Sequence, residues 1–244
     1  MVSKKSDIFI ELQDLVVDIA IPLAEEIHFE KRDKYSFALV ATYFSILEQS
    51  WVILALIDKE LGLHSLPHLR AQIEGLAEMK LLLGDESYLL SLELRNELAS
   101  KQRLINAKRG NPYLKLIAEK VEIESELSRI GKRISELERM GAKKYEMKEK
   151  LDKADLKDER EALYGYLSDY SHGSLRALLK RHLQDTGDED FRVVAFHQQD
   201  MSEFDATLHT SVDVILRASQ LIHHKFETGH EERFLGLIES RSKA

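Results

Sequence analysis

Apolar side chains recur every three or four positions along most of the chain, which is the spacing of amphipathic helices. The first such series comprises Ile8, Leu12, Leu15, Ile19 and Leu23. It predicts a helix from about Asp7 to His28. Pro22 should kink that helix or end its regular part, because proline lacks an N–H group.

A second series is apolar on nearly all sides. Asp33 has the residue type of an N-cap, so a helix should begin after it and run to about Leu61. Its most apolar part, residues 36–57, carries Glu48 and Gln49 near the middle. Since a carboxylate is costly at the centre of a bilayer, we expect a buried core helix and no membrane association.

Two further helices should follow before the pattern changes. Ser65 should cap the third helix, which has Pro67 in its first turn and ends at Gly84. The fourth should run from Asp85 to about Arg109, because Gly, Asn and Pro follow directly and break helices.

The segment 113–156 has a different rhythm. Its apolar residues keep a near-heptad spacing and comprise Leu116, Ile123, Leu127, Ile130, Ile134 and Leu137. Charged residues fill the positions between them, which predicts a coiled-coil seam. After Gly141, a return segment with Met147 and Leu151 should complete an antiparallel helical hairpin. Such a seam is more typical of a structural or dimerising element than of direct recognition.

The last third of the chain returns to helices. A long helix is predicted from about Asp158 to Leu183, with apolar anchors at Leu163, Leu167, Leu175, Leu178 and Leu179. Residues 191–196 form the one β-like run and predict a short strand or an extended connector. The fold class is therefore all-α: one domain of residues 1–244, a bundle of about eight or nine helices with an antiparallel coiled-coil hairpin insertion at 113–156.

Composition narrows the classes of function. The 244 residues include no cysteine, which excludes disulfides, thiolate nucleophiles and cysteine-bound zinc and fits a cytoplasmic protein. The formal net charge of −8 argues against a broad DNA-binding surface but leaves room for a local basic groove. The N-terminus has no uninterrupted apolar run of the kind that secretory signals contain.

The densest group of chemically active side chains lies in residues 164–174, YGYLSDYSHGS. On a helix, His172 would share a face with Ser168 and Arg176 at four-residue spacing and with Asp169 at three. Asp169 could orient and charge the imidazole, which is how a general acid or base is built. His172 and Asp169 are therefore candidate catalytic residues, and Ser168 and Arg176 are candidate binding residues.

The same stretch holds two tyrosines and two glycines. We expect Tyr166 and Tyr170 to line the binding pocket, while Gly165 and Gly173 would let a neighbouring backbone or a ligand come close. The alternative is a structural histidine that ties helices together through hydrogen bonds. For a single helical histidine, that structural role is the commoner one.

A second candidate group is the pair Arg70 and Glu74, one helical turn apart on the third predicted helix. A guanidinium there would either hold a phosphate or neutralise a buried carboxylate. Glu48, on the most apolar helix, is the natural candidate for that carboxylate. A purely structural ion-pair network is the equal alternative, because buried charges must be paired whether or not they form a site.

Other chemistries have little support in the sequence. The histidines His223 and His230 with Glu227 do not form an HExxH pattern, so no metal site is expected. The phosphate-binding glycine loops GxxxxGK[ST] and GxGxxG are missing, and so is the GxSxG elbow of hydrolases. We expect no cofactor.

Two motifs carry a family resemblance: Arg70-x-x-x-Glu74 and Tyr166-x-Ser168-x-x-x-His172-x-Ser174. With them, the chain resembles the prokaryotic proteins of the domain of unknown function 5677 over about residues 30–225. The resemblance implies an all-helical fold with Arg70, Glu74 and His172 as residues that the family shares. It implies no established activity.

More loosely, the helical layout is similar to that of HEPN proteins (higher eukaryotes and prokaryotes nucleotide-binding). Many of those are dimeric ribonucleases in toxin–antitoxin or phage-defence systems and use an Arg-x(4–6)-His motif. Four pairs with that spacing occur here, among them Arg176 and His182, where chance placement gives roughly two, and this difference is too small to count as evidence. The motif therefore does not locate a site in this chain.

Two functions follow as hypotheses. The first is a HEPN-like protein that acts on RNA or a nucleotide in phage defence, with Arg70 holding a phosphate and His172 acting as general acid or base, oriented by Asp169 or Glu74. The second is a non-catalytic helical scaffold or regulator that binds a protein partner or dimerises through its coiled-coil hairpin. The expected partners are thus RNA or a nucleotide, and a second copy of the chain.

Overall fold

A computed structural model of the chain describes residues 5–187, 190–197 and 199–243, and most of these residues are helical. The predicted all-α class is therefore confirmed. The chain divides into two compact units: unit 1 comprises Met1–Lys80 and Lys150–Ala244, and unit 2 comprises Leu81–Glu149. Unit 2 thus begins well before the insertion that the sequence predicts at 113–156, and the single-domain organisation stays a prediction.

The first helix of unit 1 contains a wide turn. Helix α1 spans Asp7–Asp14, a π-helical turn spans Leu15–Ala20, and α2 spans Ile21–Ala24. The π turn ends two residues before Pro22, whose missing N–H prevents the regular α-helical bond at that point. The predicted disturbance at Pro22 is therefore present, and the helix ends earlier than His28.

Helix α3, Lys34–Asp58, begins where the sequence predicts. Asp33 is its N-cap, and the Asp33 carboxylate accepts hydrogen bonds from the backbone N–H groups of Tyr35 and Ser36, both at 3.0 Å. Such a cap satisfies N–H groups that have no partner inside the helix. Among the described residues, α3 is the one helix long and apolar enough to cross a bilayer, a test that a core helix also passes.

Helix α4, Leu66–Gly84, follows a short 3₁₀ turn at Gly62–His64. A glycine brings α4 close to α3, because a Cβ at Gly75 would lie only 2.9 Å from the Ile46 side chain. The buried Gln72 side chain joins the same two helices by donating to the Ile46 carbonyl at 3.2 Å. These contacts fix the helix that carries Arg70 and Glu74.

Unit 2 is built on two long helices. Helix α5 spans Tyr88–Lys108, a 3₁₀ turn spans Pro112–Leu114, α6 spans Lys115–Lys120 and α7 spans Ile123–Arg139. Helix α8, Met147–Lys153, begins at the end of this unit.

The apolar seam of α7 packs on α5. Ile130, Ile134 and Leu137 are buried in one cluster with Leu94 and Leu104 of α5. The predicted partner of this seam, a return segment with Met147 and Leu151, was wrong. Helix α5 lies before α7 in the chain and has enough apolar side chains at helical spacing to cover the seam.

The long helix predicted from Asp158 to Leu183 is divided. Helix α9 spans Lys157–Glu159, a π turn spans Arg160–Tyr164, α10 spans Gly165–His172 and α11 spans Leu175–His182. The break lies at Gly173, which has a left-handed backbone with φ +64°, and Ser174 then caps α11.

This break changes the role of the apolar residues that follow it. Leu175, Leu178 and Leu179 were predicted to anchor the helix in the core, yet they are 72%, 41% and 45% exposed. Helix α11 leaves the direction of α10 at Gly173, so their side chains no longer follow the buried face that Leu167 starts.

A small hairpin and two helices complete the chain. Strands β1 (Leu183–Asp185) and β2 (Phe191–Val193) pair antiparallel, with Gln184 opposite Arg192. The sequence predicts a strand or a connector here, and the structure has a strand. A 3₁₀ turn at Met201–Phe204 leads into α12, Asp205–Lys225, and α13 spans Glu231–Ser242.

The core of unit 1 lies around α12, which contacts α1, α3 and α13. One buried residue of α12 is titratable: His223, whose side chain is fully buried. Its Nδ1 lies 2.8 Å from Thr228 Oγ1, its ring stacks on Phe234, and its Nε2 has no hydrogen-bond partner among the described residues. Burial, and then the charge of His230, lower its pKa to about 4, against smaller opposite effects of Glu26 and Glu231.

We expect the protein to lose stability as the pH falls from about 6.5 to about 4. The unfolded His223 takes up a proton near its ordinary pKa of 6.5, whereas the folded residue resists protonation until about 4. The free energy of unfolding should therefore drop by about 3 kcal/mol across this window. Urea denaturation at several pH values checks this. In His223→Gln the contribution should be missing, whereas the exposed neighbour variant His224→Gln should keep it.

Candidate active site

Two separate parts of unit 1 supply the candidate site. Helix α4 presents Arg70 and Glu74 one turn apart, on the side next to its buried apolar residues. The helical segment 157–172 presents Tyr164 at the end of its π turn and His172 at its last residue. Gly173 ends that segment directly after His172, which places the imidazole at a helix terminus.

The guanidinium of Arg70 joins all of these side chains. Its Nε donates to Glu74 Oε1 at 2.8 Å, its Nη2 donates to Tyr164 Oη at 2.8 Å, and its Nη1 lies 3.0 Å from His172 Nε2. Tyr164 Oη in turn donates to Glu74 Oε1 at 2.7 Å. The Arg70 guanidinium also lies 4.9 Å from the centre of the Tyr164 ring, which adds a cation–π contact.

These contacts fix the positions of the protons. Arginine can only donate, so the contact at 3.0 Å requires His172 Nε2 to accept a hydrogen bond and to carry no proton. In this arrangement the His172 imidazole holds a lone pair at Nε2, directed at a cation. That is the state of a base before it takes a proton.

The same contacts stabilise the charge states of the other groups. Partial burial lowers the pKa of Arg70, but the Glu74 charge and the Tyr164 hydroxyl outweigh it, so the pKa is raised overall. Burial, together with the hydrogen bond to the Glu74 carboxylate, raises the pKa of Tyr164. Arg70 therefore stays a cation and Tyr164 stays a neutral phenol.

The site is accessible from solvent on the side of His172. The His172 side chain is exposed, whereas the side chains of Arg70 and Glu74 are only 18% and 28% exposed. The charged pair is thus held inside and the imidazole faces outward. A ligand from solution can reach the imidazole without opening the fold.

The structure brings together three of the residues that the sequence nominates, Arg70, Glu74 and His172. The tyrosines Tyr166 and Tyr170 form a separate pair, with ring centres 5.0 Å apart and hydroxyls 3.4 Å apart. Burial raises the pKa of Tyr170, whose carbonyl also accepts a hydrogen bond from Arg181. This pair supports the fold of α10 beside the site and makes no contact with Arg70 among the described residues.

The expected partner of His172 is different in the structure. The hydrogen bonds of the described residues do not include one between the Asp169 carboxylate and His172, whereas the Asp169 carbonyl accepts from Ser174 N at 2.9 Å. Arg176 lies on α11, beyond the break at Gly173, so it does not share a continuous helical face with His172. Ser168 is half-buried on α10. The predicted common face was wrong where it crosses Gly173.

Glu48 and the two glycines also differ from expectation. Glu48 is exposed on α3 and is not the carboxylate that Arg70 neutralises. That partner is Glu74, on the same helix as Arg70. A Cβ at Gly165 or at Gly173 would meet nothing within 4 Å, so neither glycine serves a close approach of another backbone.

Tyr164 is a site residue that was not predicted from the sequence. Its signal was present: Tyr164 lies four residues before Ser168 and eight before His172, so it continues the four-residue spacing by one turn. What the sequence does not show is that its hydroxyl would meet a guanidinium from α4. Among the described residues, no group of three His, Asp or Glu side chains is arranged to hold a metal ion.

A buried ion pair lies on the same helix as Arg70. Lys150 Nζ is 2.6 Å from Glu78 Oε1, and the two side chains are only 6% and 11% exposed. Glu78 follows Glu74 by one turn, so α4 presents two carboxylates in succession, each matched by a cation. The carboxylate buried with its cation is therefore Glu78, which sequence inspection did not single out.

The chain matches a model of a protein family over residues 36–190, and this range contains Arg70, Glu74, Tyr164 and His172. The model is described as a family of unknown function, DUF5677. A search of curated proteins and a search of solved structures gave no match. Because the match spans more than half of the chain, this protein belongs to the family of unknown function DUF5677.

Proposed function

We propose that the site of Arg70 and His172 acts on the phosphate of RNA or of a nucleotide, as a HEPN-like ribonuclease or toxin-type protein in prokaryotic phage defence. One observation supports this most: a guanidinium lies 3.0 Å from the unprotonated nitrogen of an exposed imidazole. A phosphate-binding cation and a general base are thus held next to each other at the surface.

The arrangement suggests how a phosphate would engage. Phosphate oxygens compete well for arginine N–H groups because the paired donors match their geometry. A phosphate that accepts a hydrogen bond from Arg70 Nη1 releases the lone pair of His172 Nε2. In RNA, the imidazole then takes the proton from the attacking 2′-hydroxyl, whose oxygen bonds to phosphorus as the bond from phosphorus to the 5′-oxygen of the next nucleotide breaks. The imidazolium gives its proton to that leaving oxygen, while the guanidinium stabilises the charge that develops on the phosphoryl oxygens.

The other side of the guanidinium has a positioning role. Glu74 and Tyr164 hold Nε and Nη2, so the plane of the guanidinium is fixed before a ligand arrives. Glu74 also balances the charge of Arg70 in the protein without a ligand. Without that carboxylate, Arg70 would keep its charge but lose its orientation.

The charge around the site favours an anionic ligand, although the whole chain is acidic. Helix α11 begins three residues after His172 and contains Arg176, Lys180 and Arg181 but no acidic residue. A local group of cations raises the concentration of anions near a site. RNA and nucleotides, found in the cytoplasm of prokaryotes, have the chemistry that such a surface attracts.

One observation favours the alternative, a non-catalytic scaffold or regulator. Each of the three nitrogens of Arg70 already has a partner within the protein. A fully bonded arginine is also what a structural network requires. In that case His172 is only a hydrogen-bond acceptor that helps to hold α10 near α4.

The two functions differ in what Arg70→Lys does. Lysine keeps the charge but cannot hold Glu74, Tyr164 and a phosphate together, so we expect cleavage of a labelled single-stranded RNA pool to fall about 10- to 100-fold. Growth of bacteria that express the chain should recover in parallel. The exposed variant Arg103→Lys is the matched control and should behave like the unmodified chain. If the unmodified chain leaves RNA and nucleotides intact, or if Arg70→Lys cleaves equally well, the catalytic proposal fails.

A further inference from the structure

Helix α3 exposes an apolar stripe that the proposed function does not use. Helices that are apolar on all sides are normally buried all round, yet Phe37 and Trp51 of α3 are 64% and 54% exposed. The half-buried Phe44 lies between them, one heptad from each. An exposed apolar stripe of this length marks a surface that another body covers.

The stripe follows a strict heptad and continues to both ends of the helix. Its positions alternate steps of three and four residues and are Lys34, Phe37, Ala41, Phe44, Glu48, Trp51, Ala55 and Asp58. That spacing keeps one line of side chains facing a partner helix along the whole length. With 24 steps of about 1.5 Å, the line is about 36 Å long.

We propose that the stripe is the interface of a homodimer in which the α3 helices of two copies pair antiparallel. The stripe fits a second copy of itself that runs in the opposite direction. When two α3 helices lie antiparallel in this way, the numbers of two facing residues always add up to 92. A surface that fits its own copy in this way is what a two-fold interface requires.

The paired residues fit by size and by charge. Phe37 faces Ala55 of the other copy and Trp51 faces Ala41, so these two large side chains each meet a small one, as in a packed seam. Lys34 faces Asp58 at both ends, and it would join Lys5 and Lys59, whose Nζ atoms already lie 3.2 Å and 3.7 Å from the Asp58 carboxylate. In a parallel pairing Phe37 would meet Phe37 and Lys34 would meet Lys34, so both size and charge select the antiparallel arrangement.

A groove is present where Phe37 of the second copy would enter. It lies between α1 and α3, has a volume of about 260 Å³, and is lined in part by Phe9, Trp51, Leu54 and Ala55. Ala55 is the residue that Phe37 of the other copy faces. The aromatic ring therefore has a partly apolar recess at its predicted position, although Lys5, Asp58 and Lys59 also line it. The two-fold axis provides two such recesses.

Glu48 is the one charged residue inside the stripe. It faces Phe44 of the second copy, and the two Glu48 residues lie about 6 Å apart along the helix direction. A charged residue within an apolar seam lowers affinity and fixes the register. A pair of helices buries an area at the low end for stable complexes, so we expect a dissociation constant of about 1 μM to 100 μM.

Cysteine cross-linking tests both the surface and the orientation, because the chain contains no cysteine of its own. An equal mixture of Lys34→Cys and Asp58→Cys should form a disulfide-linked dimer under mild oxidation. Each variant alone should not, since its two cysteines would lie about 36 Å apart. Sedimentation equilibrium of the unmodified chain should show a concentration-dependent dimer, and Glu48→Gln should lower its dissociation constant about tenfold.

Other outcomes overturn the proposal. A chain that stays monomeric up to about 1 mM, far above the expected constant, has no such interface. Self-linking of Lys34→Cys alone shows a different pairing, and a dimer that the mixed variants do not link uses another surface. A monomer that floats with lipid vesicles shows that a bilayer covers the stripe instead. Because Lys34 and Asp58 are not among the hydrogen-bond partners of Arg70 and His172, RNA cleavage can be measured on the same variants independently.

Discussion

Replacing His172 by alanine should abolish most of the activity of the site and leave the fold intact. The His172 side chain is exposed and, among the described residues, accepts one hydrogen bond, from Arg70 Nη1. Changes at exposed positions alter the free energy of unfolding by about 0.5 kcal/mol or less. The loss of a general base, in contrast, slows a reaction about 10²- to 10⁴-fold. RNA cleavage by the purified variant and its melting temperature, measured on the same preparation, check both parts.

A second variant separates proton transfer from hydrogen bonding. Glutamine at position 172 can still accept a hydrogen bond from Arg70 through its carbonyl oxygen, but it cannot take up a proton at neutral pH. We expect His172→Gln to be as inactive as His172→Ala. The exposed His224 provides the control, since His224→Ala should retain full activity. Activity in His172→Gln would show that the imidazole only supports the structure.

Replacing Lys150 by methionine should produce the largest loss of stability. Lys150 and Glu78 are almost fully buried and lie 2.6 Å apart. Removing one member of a buried ion pair leaves the other charge in a low dielectric without its counterion, which costs about 3 to 5 kcal/mol. The free energy of unfolding from urea denaturation should fall by that amount.

A double variant tests whether the buried charge is the cause. Glu78→Leu together with Lys150→Met replaces the pair by apolar side chains of similar size, and it should recover most of the lost stability. The exposed Lys148, two residues earlier on α8, gives the control variant Lys148→Met, which should stay within about 0.5 kcal/mol. If Lys150→Met also stays within that range, the pair contributes little to stability.

The site was predictable in part because helical spacing is a local property. Arg70 and Glu74 lie one turn apart whatever surrounds α4, so their pairing follows from the sequence. The same rule failed for Arg176, because Gly173 adopts a left-handed backbone and redirects the chain before that residue. A glycine in a helical pattern permits such a break but does not require it.

The partner of a buried charge was harder to predict. Glu48 and Glu78 both lie on helices rich in apolar residues, and only packing decides which of them faces the core. Helix α3 turns Glu48 outward, while α4 turns Glu78 toward Lys150, which lies 72 residues later in the chain. The seam of α7 was similar: its period was evident, but its partner helix α5 was not.

The sequence by itself determined that this protein is helical, that Asp33 caps its most apolar helix, and that it carries an arginine–glutamate pair and a polar stretch around His172. Those features depend on backbone propensities and on spacings within a few turns, which act before any long-range contact forms. The tertiary structure alone decided that Arg70 meets His172 and Tyr164 across about a hundred residues, and that Glu48 faces solvent. Such contacts follow from how helices pack and which faces they bury, and the period of a single helix carries no information about the face of another.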